Sequence, residues 1–405
     1  MRLTIEVVAR VLLSILDRSR TRIGLPDAAA LTATIERAAH AEMLGYHRFW
    51  VAEHHGVPGI AILVPPVLLA AICARTSRIR IGSGGVMLPN HQPFVVAEQF
   101  AMLEALYRGR VDVGLGRSLG FTEPVRKALR SGREEPDAFA EDIDELLSYL
   151  TGTGPVTVRP AVPPEWTTQP PMFVLATGQG LEIAAKAGLP VVVGGPILQG
   201  DGAALEQYRR DFRSTEQNPH PTVIVSLDIT VARTEERARE LVLPEAWAMA
   251  QSRQTGEFPP LTSPRDIDLD AAPARMRERV EKSIATGLHG TPDQVADRVV
   301  ELIQRTGADD DGRTFGLGQH VGRRLGQLRQ GLRSRAQPVV IIAEIDLLTD
   351  QGDLRLATQP DLAQAGVQQR RLDARVGTDD QHGIRRLDAG QTRIKQPAFA
   401  GVTAQ

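Results

Sequence analysis

The sequence predicts a (β/α)8 barrel, or TIM barrel, with insertions, because short buried strands alternate with amphipathic helices over most of the chain. The chain has 405 residues, 42% of them hydrophobic, and a barrel of this type takes roughly 250 residues or more. Polar side chains also follow several strands directly, at the end of a parallel barrel where active sites lie. Repeated βα units also build open doubly wound sheets, so the pattern alone leaves that alternative open.

Four strands and three helices are predicted in the first 120 residues. The strands cover 11–16, 49–52, 79–82 and 111–115, each a short apolar run. The helices cover 26–44, 65–75 and 94–106. Pro26 and Asp27 open the first helix and Gly45 ends it, since glycine commonly terminates helices.

The same alternation returns after residue 170. It predicts strands at 172–175, 190–193 and 222–231 and helices over 181–187, 234–251 and 291–305. Two polar segments, 121–170 and 252–275, interrupt the alternation and are predicted to be insertions, the first with a helix over 137–150. Such insertions can serve as a lid over an active site.

The region after Asp310 differs from the rest of the chain. Residues 316–398 contain no aromatic side chain and are rich in Gln, Arg and Asp. We therefore predict a catalytic barrel over 1–310 and an atypical, poorly ordered C-terminal extension over 311–405. The last βα unit is missing from the pattern, which would leave two strand edges unpaired. Residues 339–342, within a strand-like run, are the candidate replacement.

Charge and cysteine content restrict the class of protein. The formal net charge of −2 gives no overall field that would draw the protein to nucleic acid or an anionic membrane. The single Cys73 excludes an internal disulfide framework and is typical of a reducing compartment. No apolar stretch reaches the ~20 residues of a membrane-spanning helix. We therefore expect a cytoplasmic protein with no nucleic-acid and no membrane partner.

Glu53, His54 and His55 directly follow the second predicted strand. A histidine at the active end of a barrel can exchange protons near neutral pH, and a neighbouring carboxylate can orient it. The three residues are therefore the candidate catalytic group. The alternative is a pair of loop histidines that bind nearby backbone groups.

Two glycine-rich segments are candidate cofactor-binding sites. Gly84 and Gly85 follow the third strand, and the absence of two Cβ atoms lets the backbone approach a flat aromatic ring, unless the pair only forms a β-bulge. The second segment precedes a helix, where backbone N–H groups bind anions such as phosphate; a tight turn is the alternative. Its residues are Thr177, Gly178, Gln179 and Gly180.

Three blocks of the sequence resemble bacterial luciferase-like flavin-dependent monooxygenases in order and spacing. They are Glu53-His54-His55, the segment 81–91 (IGSGGVMLPNH) and the segment 97–117. The resemblance covers about residues 11–310 and implies a luciferase-like TIM barrel. It also implies that reduced FMN, supplied by a separate flavin reductase, reacts with O₂ to a C4a-peroxyflavin that oxygenates a small organic substrate. Hydroxylation, epoxidation and Baeyer–Villiger insertion all remain open.

The resemblance implies roles for individual residues. His54 becomes the acid–base group, oriented by Glu53 or His55. Arg117 and the 177–180 loop would bind the FMN phosphate, although the family often has serines in this loop and the chain has fewer hydroxyls. A cis peptide is expected between the two glycines. Residues expected against the flavin are Gly84, Gly85, Val86 and Asn90.

The resemblance also implies a homodimer and two further residues near the active site. The family pairs through its second and third helices, so a homodimer through 65–75 and 94–106 is expected. His91 is a further candidate at the flavin edge and Asp17 at the substrate, with a packing role as the alternative for each.

Two other functions remain open on the sequence. The first is a deazaflavin-dependent oxidoreductase on the same barrel, against which the Glu-His-His motif argues. The second is a non-catalytic or inactive flavin-binding barrel, which the missing last βα unit favours.

Overall fold

The computed structural model describes residues 11–119, 122–130, 138–160, 169–176, 178–306 and 339–344. Its strands are β1 (Val11–Asp17), β2 (Arg48–Val51), β3 (Arg80–Ser83), β4 (Val86–Met87), β5 (Val111–Gly116), β6 (Met172–Ala176), β7 (Val191–Val193), β8 (Val223–Val231), β9 (Leu288–Gly290) and β10 (Val339–Glu344). Its helices are α1 (Asp27–Leu44), α2 (Pro65–Arg75), α3 (Pro93–Leu106), α4 (Glu123–Ala128), α5 (Phe139–Leu150), α6 (Gly180–Ala187), α7 (Pro196–Gln199), α8 (Ala203–Asp211), α9 (Glu235–Thr255), α10 (Ala274–Thr286) and α11 (Pro292–Thr306).

Eight strands close into a barrel in the order β1, β2, β3, β5, β6, β7, β8 and β10, and β10 returns to β1. All the pairings are parallel. The two remaining strands extend this ring: β4 pairs with the end of β5, and β9 with the end of β8. The predicted (β/α)8 barrel is therefore confirmed.

Strand β10 takes the place of the eighth strand that the sequence pattern lacked. It pairs with β1 from Val11 opposite Val339 to Leu16 opposite Glu344, and with β8 from Val225 opposite Ile341 onwards. The prediction that 339–342 replaces the missing strand is thus confirmed. The rest of the predicted extension lies outside the described residues, so the boundary at residue 310 stays a prediction.

Two helical regions differ from the sequence prediction. Helix α5 was assigned to an insertion, but it packs against α3 and α6 and buries Phe139, Ile143, Leu146 and Tyr149. It is therefore the barrel helix between β5 and β6. Helices α4, α7, α8 and α10 are absent from the sequence prediction. Among the described helices, none has the length and apolar composition that crossing a lipid bilayer requires.

The buried side chains form an inner and an outer layer, because successive strand residues point to opposite faces. The inner layer fills the barrel and comprises Leu12, Leu16, Trp50, Ala52, Phe173, Val192 and Ile224. The outer layer packs between strands and helices and includes Ile15, Phe49, Val51 and Ile81. On β1 and β2, even-numbered residues therefore face the barrel interior.

A buried ion network lies inside the barrel at the N-terminal ends of the strands. The Asp112 carboxylate, fully buried, accepts hydrogen bonds from Arg48 Nε (3.1 Å), Trp50 Nε1 (3.0 Å) and Arg80 Nε (3.0 Å). Burial alone raises the pKa of Asp112, but the two arginines outweigh burial and hold that pKa below its usual value. The network is remote from the opposite, C-terminal end, where barrel active sites lie.

Candidate active site

The C-terminal strand ends bring the predicted catalytic residues to one end of the barrel. Asp17 ends β1 and lies opposite Val51, which ends β2. The next residues, Ala52 to His55, form the loop after β2. His54 continues the even-numbered face of β2 that carries Trp50 and Ala52 into the interior. His54 thus comes two residues after Ala52, an inner-layer residue, at the C-terminal end of the barrel.

The electrostatic surroundings of His54 keep its imidazole neutral. Burial, reinforced by the positive charges of Arg18 and Arg20, lowers the pKa of His54 to about 4. The backbone N–H of His54 donates to Ile62 O at 3.3 Å, which fixes the loop. At neutral pH the imidazole therefore begins as a proton acceptor.

The lowered pKa of His54 makes stability pH-dependent. An unfolded chain ionises this imidazole near pH 6.5, whereas the folded protein keeps it neutral down to about pH 4. As the pH falls, the unfolded state thus binds the proton before the folded state does. The free energy of unfolding is therefore unaffected by His54 above pH 6.5 and decreases as the pH falls from 6.5 towards 4. Calorimetry at pH 7.5 and pH 5 should show a smaller fall in Tm for His54→Gln than for the wild type. Equal falls in both proteins would argue against this assignment.

Glu53 joins His55 and His91 in a separate cluster. Its Oε1 accepts hydrogen bonds from His55 Nε2 (2.7 Å) and His91 Nε2 (2.8 Å), and its Oε2 accepts from the Met87 N–H (3.2 Å). Burial raises the pKa of Glu53, but these hydrogen bonds outweigh burial and leave the pKa lowered. Glu53 therefore connects the loop after β2 to the segment after β4, and the orientation of His54 by Glu53 or His55 stays a prediction.

The Glu53 cluster also has the composition of a metal site. The ligand atoms of Glu53, His55 and His91 all lie within 4.8 Å of one another, and two histidines with one carboxylate are a ligand set that transition metals take. The hydrogen bonds already provide each of these atoms with a partner. The cluster is therefore complete as a hydrogen-bonded unit.

The peptide between Gly84 and Gly85 is cis, as predicted. A Cβ on Gly84 would collide with the Leu16 side chain, and one on Gly85 would lie 2.8 Å from Gly114 O. The backbone of β5 thus requires a glycine at position 85, whereas at position 84 a Cβ would require the Leu16 side chain to move. The Val86 side chain is buried in the outer layer, so only its backbone is available to a ligand. Asn90 ends a short 3-10 helix, Leu88–Asn90.

Arg117 contacts the glycine-rich loop before α6. The predicted phosphate site requires these two parts of the chain to lie together. Arg117 Nη2 donates to Gln179 Oε1 at 2.9 Å. Gly178 has φ 56°, and a Cβ there would meet no atom within 4 Å, so the loop is open on that side. Gly180 begins α6, whose first N–H groups point out of the helix. Thr177 lies outside the described residues.

Two arginines that the sequence analysis overlooked lie beside His54. Arg18 Nη2 donates to Glu245 Oε1 (3.2 Å) and Arg20 Nε to Glu245 Oε2 (3.0 Å). The detectable signal was the pair of basic residues immediately after β1. Asp17, by contrast, points to α1, where it accepts from Thr34 (3.1 Å) and pairs with Arg37, so the structure favours a packing role for it.

Part of the second predicted insertion covers this end of the barrel. Gly59 N–H donates to Phe258 O (2.7 Å), Ile23 N–H to Leu261 O (3.0 Å) and Leu261 N–H to Thr21 O (2.8 Å). The segment 258–261 is therefore held against the loops after β1 and β2.

Comparison with known proteins agrees with this geometry. The family model of luciferase-like monooxygenases matches residues 10–310, and the chain belongs to this family. It is 32% identical to a luciferase-like monooxygenase of Escherichia coli, over 73% of this chain and 89% of that protein. It is 39% identical to an N-acetyl-S-alkylcysteine monooxygenase of Bacillus subtilis, over 49% of this chain and 61% of that protein.

Solved structures show the same fold with different cofactors. Apo-MsnO8 matches with a TM-score of 0.64 and 29% identity, over 80% of this chain and 98% of that one. The oxygenating constituent of 3,6-diketocamphane monooxygenase from Pseudomonas putida, in complex with FMN, has a TM-score of 0.54, 17% identity and coverage of 80% and 96%. An F420-dependent secondary alcohol dehydrogenase has a TM-score of 0.53, 14% identity and coverage of 83% and 93%.

Proposed function

We propose that the protein is an FMN-dependent monooxygenase that oxygenates a small organic molecule with O₂, using reduced flavin from a separate reductase. The observation that carries the proposal is the His54 imidazole, whose pKa is lowered, at the C-terminal end of a luciferase-like barrel. The open loop at Gly178, with Arg117 beside it, fits the phosphate of a flavin mononucleotide. The cis Gly84–Gly85 segment offers backbone to the ring.

Each part of the site has a task in this reaction. Bound reduced flavin would supply the two electrons that activate O₂; one oxygen atom would pass to the substrate and the other would leave as water. Arg117 and the N–H groups at the start of α6 hold the phosphate. The unprotonated nitrogen of His54 accepts a proton beside the reacting molecules. The Glu53 cluster holds the two loops in position, and the segment 258–261 helps to exclude water.

A titration of the protein with reduced FMN and with reduced deazaflavin F420, both under anaerobic conditions, tests the proposal. We expect FMN to bind at least about tenfold more tightly. Tighter binding of F420 would select the second candidate, a deazaflavin-dependent oxidoreductase, which the F420-dependent neighbour of the same fold favours. Binding of neither would indicate an inactive barrel. The name of the Bacillus relative makes N-acetyl-S-alkylcysteines the first substrates to try.

Replacing His54 separates its chemical role from flavin binding. His54→Gln should lower turnover by roughly 10²- to 10⁴-fold, the usual contribution of a general base. The Kd for FMN should stay within about threefold, because the phosphate site is on other strands. His220→Gln, at an exposed position, is the matched control and should leave both quantities unchanged. Full turnover by His54→Gln would rule out this role.

We expect a homodimer that uses the outer faces of α2 and α3. Large apolar side chains are exposed on these two neighbouring helices, namely Val67, Val95, Met102 and Leu106. Contiguous exposed apolar surface is typical of a protein interface. Sedimentation velocity should report a dimer for the wild type and a monomer for Val67→Asp. A wild-type monomer at micromolar concentration would contradict the expectation.

A further inference from the structure

The Glu53 cluster, formed by Glu53, His55 and His91, brings together three atoms that can bind a metal ion. His55 Nε2 lies 2.7 Å and His91 Nε2 lies 2.8 Å from the same oxygen, Glu53 Oε1. Within the part of the chain that the structure describes, this is the one group of three such side chains whose ligand atoms all lie within 4.8 Å of one another. The proposed flavin reaction uses the cluster only to hold two loops and assigns no ligand to it.

Hydrogen bonds with backbone atoms hold the cluster in place from outside. Glu53 Oε2 accepts from the Met87 N–H at 3.2 Å, and the Glu53 side chain is fully buried. The His91 N–H donates to Leu88 O at 2.9 Å, which fixes the backbone of His91 at the end of a 3-10 helix. Metal sites in proteins commonly have such an outer layer of hydrogen bonds, because it orients the ligands before the ion binds.

The spacing of the three atoms is close to that of a zinc site. Bond lengths of about 2.0–2.1 Å at tetrahedral angles place neighbouring ligand atoms of Zn²⁺ about 3.3 Å apart. The two nitrogens lie 2.7 and 2.8 Å from Glu53 Oε1, so the atoms need to separate by only about half an ångström. The side chains of His55 and His91 are 19% and 26% exposed, so an ion can reach them from solvent and both rings can shift.

The hydrogen-bonded cluster and a metal-bound cluster differ in where two protons lie. In the hydrogen-bonded form, a proton on each Nε2 fills the gap between that nitrogen and Glu53 Oε1. A metal ligand presents a lone pair, so each neutral imidazole has to carry its proton on Nδ1 instead. Among the described residues, neither His55 Nδ1 nor His91 Nδ1 has a hydrogen-bond partner that opposes this change. One ion can therefore replace the two hydrogen bonds.

We propose that Glu53, His55 and His91 bind a divalent transition metal ion, with Zn²⁺ as the best match, and that this ion clamps the loop after β2 to the segment after β4. Two imidazoles and one carboxylate are protein ligands that Zn²⁺ takes in tetrahedral sites, with water in the fourth position. Neither Arg117 nor the loop 178–180 contributes a ligand, so the proposal does not depend on the proposed function.

Calorimetric titration with Zn²⁺ tests the proposal on the full chain, treated with a chelator and free of any polyhistidine tag. We expect one Zn²⁺ per chain, bound at least about 100-fold more tightly than Mg²⁺ or Ca²⁺, because those ions prefer oxygen ligands. The Tm should rise with the Zn²⁺ concentration, since an ion that binds the folded state stabilises it.

Replacing one ligand shows whether Zn²⁺ binds at this cluster. His91→Gln should weaken Zn²⁺ binding at least about 100-fold, because even the hydrogen-bond partners of metal ligands contribute about 10- to 100-fold to affinity. Glu53→Gln should weaken it in the same way. His220→Gln, at an exposed position outside the cluster, is the matched control and should keep the wild-type affinity.

X-ray absorption at the zinc edge of the wild type is a second test that does not depend on the folding of a variant. It should show two imidazole nitrogens at about 2.0–2.1 Å, together with oxygen ligands. A preference for Zn²⁺ over Mg²⁺ below about tenfold, an unchanged affinity in His91→Gln, or a spectrum without two imidazole ligands would overturn the proposal. None of these results bears on FMN binding, which the anaerobic titration measures separately.

Discussion

A chain that ends at residue 310 is expected to lose most or all of its folding stability, because it lacks strand β10. That strand forms six register pairs with β1 and four with β8, and a net backbone hydrogen bond contributes about 1 kcal/mol. The loss is therefore on the order of 5–10 kcal/mol, comparable with the whole stability of a typical domain. Urea unfolding followed by circular dichroism measures it.

Two further variants test whether the loss of folding stability comes from the absence of β10. A chain that ends at residue 348 keeps the strand and should unfold at the same urea concentration as the full chain. Ile341→Pro removes one N–H from the middle of the strand and should destabilise strongly, since proline does not fit a central strand. A 1–310 chain as stable as the full protein would show that the barrel does not need residues 339–344.

Replacing Asp112 by alanine is expected to cost about 3–5 kcal/mol of unfolding free energy. The substitution removes a buried acceptor that Arg48, whose side chain is 6% exposed, shares with the Trp50 N–H inside the barrel. Removing one partner of a buried ion pair is among the most destabilising single changes. Urea unfolding of Asp112→Ala and of the wild type gives the difference.

The control for Asp112 is another aspartate that is exposed. Asp266→Ala, in the short 3-10 helix Pro264–Asp266, should change stability by no more than about 0.5 kcal/mol. Asp112→Asn keeps the shape of the side chain and removes its charge. Its loss of unfolding free energy should therefore lie between those of Asp266→Ala and Asp112→Ala. A loss below about 1 kcal/mol for Asp112→Ala would mean that the network is better hydrated than its burial implies.

The barrel was predictable because its strands are short apolar runs between helices with clear boundary residues. Gly45, for example, does end α1, in a left-handed conformation with φ 80°. Helix α10 was missed because most of its surface is charged. Its buried residues Met276, Val280 and Ile284 recur every four positions and pack against α9, so the periodic signal was present. It was obscured by the polar composition of the segment around it.

The positions of the candidate site residues were predictable, but several of their partners were not. His54 and Arg117 follow strands, and parallel strands bring their C-terminal ends together. The hydrogen bond between Glu53 and His91 spans 38 residues of sequence, and it depends on how two loops fold against each other. The same holds for Arg18 and Glu245, which are 227 residues apart. Local pattern carries no information on such contacts.

Diffraction from crystals soaked anaerobically with FMN tests the central claim most directly. We expect the isoalloxazine ring to contact the Gly84–Gly85 backbone, His54 to border the ring, and the phosphate to contact Arg117 and the loop 178–180. FMN bound on another face of the barrel, or its phosphate beside Arg18 instead of Arg117, would contradict the account.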